Sequence, residues 1–155
     1  MAPLNRRTVL AALGAVALPR WAIAQSVPSM LVHKDPNCGC CAAWVDHIRA
    51  SGITVTVVET YAISGLKAKL GVPKALMSCH TAEIGGYVIE GHVPVGEVRR
   101  LLHERPRAAG LAVAEMPIGS PGMEVAGAAA DTYQVIQFGP LGQSTFATYN
   151  GGQRL

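Results

Sequence analysis

The apolar positions of this chain change period several times, and each change predicts an element. "SMLVHKD" (29–35) is an apolar run that ends in polar turn residues, as a short strand does. In "CCAAWVDHIRASG", Ala42, Ala43, Val45 and Ile48 recur at helical spacing and Gly52 supplies a stop. "ITVTVVET" is rich in β-branched residues and predicts a strand. "ISGLKAKLG" reads as a short helix closed by Gly71, with Pro73 just beyond it. "CHTAEIGGYVIEG" predicts two short strands about Gly85-Gly86. "PVGEVRRLLHERP" predicts a helix opened by Pro94, with Val98, Leu101 and Leu102 on one face. "MPIGSPGMEVAGAAAD" has almost no period and many Gly, Pro and Ala residues, so it predicts a long surface loop. The last periodic stretch, "TYQVIQFGPLGQSTFATY", predicts a hairpin turning at Gly139-Pro140-Leu141-Gly142.

Taken in order, these elements are βαβ, a short helix, ββα and a terminal hairpin. A parallel βαβ start needs a helical crossover, and a sheet so begun needs cover on both faces. The expected fold class is therefore α/β, a thioredoxin-like sandwich whose sheet is extended by the C-terminal hairpin.

The first residues follow a different logic. "MAPLNRRTVLAALGAVALPRWAIA" has a basic start, an apolar run from Val9 to Leu18 and a small-x-small pattern at Ala22-Ile23-Ala24. Residues 1–24 are thus expected to be a removable export signal, leaving 25–155 as one domain. Asn5-Arg6-Arg7-Thr8-Val9-Leu10 partly resembles a twin-arginine signal, and an ordinary secretory signal fits as well. The apolar run is too short to span a bilayer and is broken by Pro19 and Arg20, so no membrane span is expected in the mature chain.

Charge matters only after this step. The whole chain has 13 Lys+Arg against 10 Asp+Glu, but Arg6, Arg7 and Arg20 leave with the signal and the excess disappears. With no basic stripe left, a nucleic-acid role has no support.

The candidate chemistry lies in four cysteines, three of them packed into "NCGCC" as Cys38, Cys40 and Cys41, with Cys79 far downstream. Cys38 and Cys41 form a C-x-x-C pair at the expected start of the first helix, where the dipole and unpaired N–H groups favour thiolates. Thiolates are both nucleophiles and metal ligands, so a thiol-disulfide oxidoreductase and a metal protein are both consistent with the pair. Cys40 weighs against the first, because a third thiol invites mispaired disulfides. It suits copper(I), which prefers sulfur and whose thiolates can bridge several ions. In a thioredoxin-like layout the segment before the third strand approaches the start of the first helix, which would bring Cys79 to the other three. Zinc could take four thiolates, or three plus His80, but C-x-C-C is an unusual spacing for a closed zinc site. A purely structural disulfide framework is the least favoured reading, because a domain of this size has a core of its own.

His80 and His92 are candidates to line or complete the site, balanced against roles as ordinary turn histidines. His33, His47 and His103 read as structural or exposed. Met116 and Met123 flank a Gly/Pro loop; their thioethers could bind copper(I), although loop packing is the more ordinary role.

"KDPNCGCCAAWVDHIRASG", "SCHTAEIGGYVIEGHVP" and "GLAVAEMPIGSPGME" together closely resemble the exported CopG-type copper-resistance family of Gram-negative bacteria, a cysteine-rich family formerly of unknown function. The three motifs occur in the same order and span nearly the whole chain from about Ser29 onward. The resemblance implies a periplasmic protein of thioredoxin-like fold that holds a multinuclear copper-thiolate cluster through Cys38, Cys40, Cys41 and Cys79. It further implies copper(I)/copper(II) interconversion as a potential activity. Apart from the resemblance, a passive copper store or chaperone is a third possibility, with a copper exporter or other periplasmic copper proteins as its partners.

Overall fold

"ITVTVVET" and "SMLVHKD" form neighbouring parallel strands, and the helix between them carries the cysteine cluster. The architecture is that of a computed structural model, which describes residues 28–155; the expected export signal at 1–24 lies outside the described residues. Strand β1 (Met30–Lys34) is followed by helix α1 (Gly39–Ala50) and strand β2 (Val55–Glu59). Val32 of β1 faces Val57 of β2 in parallel register. Helix α2 (Ile63–Lys69) and a 3-10 turn at Lys74–Leu76 then lead to β3 (His80–Ile84) and β4 (Tyr87–Glu90), an antiparallel pair. Helix α3 (Val95–Glu104) follows, with β5 (Gly110–Ala112), β6 (Thr132–Gly139), β7 (Gly142–Asn150) and β8 (Gln153–Arg154) completing the chain.

All strands among the described residues join one eight-stranded mixed sheet in the order β2-β1-β3-β4-β5-β6-β7-β8. The hairpin β6-β7 turns at the predicted Gly139–Gly142 pair and extends the sheet, as the alternation of the sequence required. β5 and β8 were not predicted. Three and two residues long, they are too short to show a period. β5 bridges the earlier strands to the hairpin by pairing parallel with β4 and antiparallel with β6. Gly110 is obligatory in that bridge, since a Cβ there would lie 1.8 Å from the Val88 carbonyl oxygen.

Strand alternation sends side chains to both faces, and helical segments cover both. Trp44 and Ile48 of α1 and Val98 and Leu101 of α3 pack on one face against Ile89 and Leu111. Val72 and Leu76, after α2, pack on the other face against Val88 and Phe138. Each such side chain contributes about 1.5–3 kcal/mol by leaving water, so the sheet anchors α1 firmly through Trp44, Val45 and Ile48. The buried stripe of α1 is Cys41, Trp44, Val45 and Ile48; Ala42 and Ala43, assigned by spacing to the same face, are exposed. The difference is one of volume: the helix turns its indole inward and leaves the two methyl groups in water.

Candidate metal centre

An Asx turn sets the start of α1. Asp35 accepts the Asn37 N–H through Oδ1 at 2.8 Å and the Cys38 N–H through its carbonyl at 3.1 Å. Cys38 is therefore the N-cap of α1, and no side chain among the described residues caps the free N–H groups of the first turn. Cys38 and Cys41 lie three residues apart, on one side of the helix, and are joined by a disulfide. Cys41 is fully buried, whereas Cys40, rotated off that side, is partly exposed and keeps a free thiol. Its Sγ lies 3.5 Å from Cys38 Sγ and 3.8 Å from the Met116 thioether.

Cys79 reaches the same place because the residue before it is fixed from below. The Ser78 N–H donates to Glu90 Oε1 at 2.6 Å. Glu90, fully buried, also receives the Lys67 ammonium at 2.6 Å and the Thr81 hydroxyl at 2.6 Å, while Lys67 Nζ donates to Thr81 Oγ1 at 2.7 Å. This buried network ties α2, β3 and the end of β4 together beneath the site. Gly91 then adopts φ +70°, and a Cβ there would meet the Val113 carbonyl oxygen at 2.4 Å, so only glycine lets the chain turn towards His92 at this point.

Cys79 Sγ sits between two imidazoles, 3.1 Å from His92 Nε2 and 3.2 Å from His80 Nδ1. His92 Nδ1 lies 2.8 Å from the Pro121 carbonyl oxygen, an acceptor only, so Nδ1 carries the proton and Nε2 turns its lone pair to the sulfur. His80 packs on Trp44 with ring centroids 4.3 Å apart, and its Nε2 is buried without a hydrogen-bond partner among the described residues. The indole is itself held by a 3.0 Å bond from Nε1 to the Val93 carbonyl.

Burial governs the protonation states. It pushes the Cys79 thiol up to about 12, assisted by the nearby Cys40 sulfur and partly offset by the Ser78 hydroxyl. His80 is held well below the usual imidazole range by burial first, then by His92 and Lys67. Burial also lowers His92, against the Pro121 carbonyl. Both rings are thus neutral near pH 7, the form that binds metal, and Cys79 must release a proton to do so.

The four cysteine sulfurs lie within 4.8 Å of one another, and so do the ligand atoms of Cys79, His80 and His92. Cys38, Cys40, Cys41 and Cys79 therefore converge as the sequence led us to expect. His80, His92 and Met116 line the same place. Met123 does not: it enters the loop through backbone bonds with Ser120 and Gly119, and no thiol lies within bonding distance of its sulfur among the described residues. His47 accepts the Val95 N–H, His33 faces Glu83 and His103 is exposed, in keeping with structural or solvated roles. The donor set of thiols, one thioether and neutral imidazoles, with no carboxylate in it, fits a soft ion such as copper(I).

Sequence reasoning missed the supports: Glu90, Lys67, Trp44 and the Pro121 carbonyl. Glu90 carried a signal, a carboxylate in the apolar strand "YVIE", where a charge must find a buried partner. Lys67 looked like any exposed helix lysine.

Comparison with known proteins agrees with this geometry. Residues 76–123, which include Cys79, His80, His92 and Met116, match a family described as protein of unknown function DUF411. Two solved structures are similar to this chain. One, titled copper resistance protein CopG, form 2, is 42% identical with a TM-score of 0.76 and spans 80% of this chain and 99% of its own. The other, form 1 of a protein with the same title, is 42% identical with a TM-score of 0.75 and spans 81% and 100%. No curated protein matches the chain.

Proposed function

Because this chain belongs to the CopG copper-resistance family, we propose that it is a periplasmic copper-binding protein that, once the Cys38–Cys41 disulfide is reduced, holds several copper(I) ions between Cys38, Cys40, Cys41 and Cys79. The observation that carries this reading is the convergence of four sulfurs within 4.8 Å from two distant stretches of chain. Adjacent Cys40 and Cys41 point in different directions and cannot readily chelate one ion, which favours several ions joined by bridging sulfurs. The parallel β1-α1-β2 unit beside the antiparallel β3-β4 pair supports a thioredoxin-like description of this half of the sheet. Export by the 1–24 segment would place the protein where copper is detoxified, with a copper exporter or another periplasmic copper protein as its partner. Imidazole beside thiolate supports interconversion of copper(I) and copper(II), since nitrogen accommodates the second state better than sulfur does. Anaerobic copper(I) titration of the fully reduced protein tests the reading. More than one ion per chain is expected, and fewer in Cys40→Ser; saturation at one ion or below, unaffected by Cys40→Ser, would falsify it.

One observation favours a second reading. The Cys38–Cys41 disulfide at the start of α1 is the arrangement a thiol-disulfide oxidoreductase would use. That reading expects catalysed reduction of a small disulfide substrate, lost in Cys38→Ser and retained in Cys40→Ser. Absence of turnover in the copper-free reduced protein counts against it.

A further inference from the structure

The Cys38–Cys41 disulfide divides the donors of the centre into two sets. Two sulfurs are bonded to each other and cannot act as thiolates. Cys40 and Cys79 remain free, and they are the two thiols that face further donors. Met116 Sδ lies 3.8 Å from Cys40 Sγ, and His92 Nε2 lies 3.1 Å from Cys79 Sγ. The sulfurs of Cys40 and Cys79 are within 4.8 Å of each other, a span that one ion can bridge.

His92 is prepared for this role. Its ring is fully buried, and Nδ1–H is fixed on the Pro121 carbonyl at 2.8 Å. That bond sets both tautomer and ring direction, so that Nε2 is aimed at the Cys79 sulfur and fixes where it stands. Two thiolates make a soft two-coordinate set for copper(I), with His92 holding the Cys79 sulfur in place and Met116 beside Cys40 as a further sulfur.

We propose that, with the Cys38–Cys41 disulfide closed, Cys40 and Cys79 hold a single copper(I) ion, His92 positioning the Cys79 sulfur, and that opening the disulfide turns this one-ion site into the several-ion site. The upper state rests on the reading given under Proposed function; the one-ion state stands on the geometry alone. Opening breaks the S–S bond and forms two S–H bonds, taking two electrons and two protons from a dithiol that itself becomes a disulfide. The copper keeps its oxidation state throughout. Capacity for copper is thereby set by the thiol redox state of the surroundings.

The test is a copper(I) count on two preparations of the purified chain under anaerobic conditions, with bicinchoninate as the competing chelator. Alkylation and mass measurement confirm two free thiols in the disulfide form and four in the reduced form. One ion per chain in the disulfide form and more than one in the reduced form is the expected result. The Cys38→Ser/Cys41→Ser double variant should hold one ion whatever the redox condition. His92→Gln should lower the affinity of the disulfide form at least tenfold, and Cys79→Ser serves where the glutamine variant does not fold. No ion in the disulfide form with several in the reduced form overturns the switch and leaves the cluster intact. One ion in both forms overturns switch and cluster together. Failure of mild thiol oxidation to close Cys38–Cys41 overturns the switch as well.

Discussion

The Lys67 ammonium and Glu90 Oε1 lie 2.6 Å apart with both side chains almost wholly out of water. Glu90 also accepts the Ser78 N–H, so this pair determines where Cys79 begins. Lys67→Met would leave a buried carboxylate without its cation and should cost about 3–5 kcal/mol of stability, read by urea denaturation of the copper-free protein. Lys67→Met/Glu90→Leu should cost less than the sum of its single changes. Simple additivity of the two would show that they are not coupled.

The loop that carries Pro121 rests on α1 through a glycine. Gly122 has φ +84°, and an added Cβ would stand 2.6 Å from the Trp44 backbone nitrogen and 2.9 Å from the Cys40 carbonyl oxygen. Gly122→Ala should lift the loop, draw the Pro121 carbonyl away from His92 and cost about 2 kcal/mol. Copper(I) affinity should fall with it, by about tenfold if roughly 1.4 kcal/mol of binding is lost. An unchanged melting temperature together with unchanged affinity would contradict the contact.

Acid should weaken the copper-free protein through its buried imidazoles. Both His80 and His92 have folded values below the ordinary 6.5, chiefly because burial disfavours the charged ring. Their contribution is fully present above about pH 6.5 and is lost as pH falls from there towards the lowered folded values. The urea midpoint should therefore drop between pH 7 and pH 5, and His80→Phe should flatten the slope. A midpoint constant over that interval would place the charged rings in water, contrary to their burial.

Cys79 should be the slow thiol. With its pKa raised from 9.0 to about 12, only about one molecule in ten thousand carries the thiolate at pH 8. The neutral thiol is the form the fold prefers, so this contribution to stability is present below about pH 9 and is lost as pH rises towards 12. Brief iodoacetamide treatment of the disulfide form, followed by peptide mass mapping, should label Cys40 before Cys79, whose thiol is the one pushed up. Equal labelling of both cysteines would argue against the raised Cys79 thiol.

Much of this arrangement was readable from the chain, for identifiable reasons. The β1-α1-β2 unit announced itself because β-branched runs and helical spacing differ in period, and "NCGCC" fell where the period changed. Cys79 could be placed beside it from topology. The inward set of α1 was harder, because spacing alone gave Ala42 and Ala43 the same claim as Cys41 and Trp44, and only the volume to be filled decides between them. β5 had no period to show. The supports of the site were hidden for another reason: Lys67 and Glu90 are 23 residues apart, and a buried ion pair leaves no local pattern in either segment.

The donors of the centre come from four stretches of chain: the first turn of α1, the Cys79 segment before β3, the His92 segment after β4, and the loop bearing Met116. An ion bound across any two of them acts as a removable staple, restricting motions that the backbone alone would allow. On the proposed function, stability would scale with the free ion concentration relative to its dissociation constant, and local opening of this corner would be suppressed when copper is plentiful. The copper-free chain is accordingly the form most open to proteases, so the amount of protein that survives would itself follow the supply of metal.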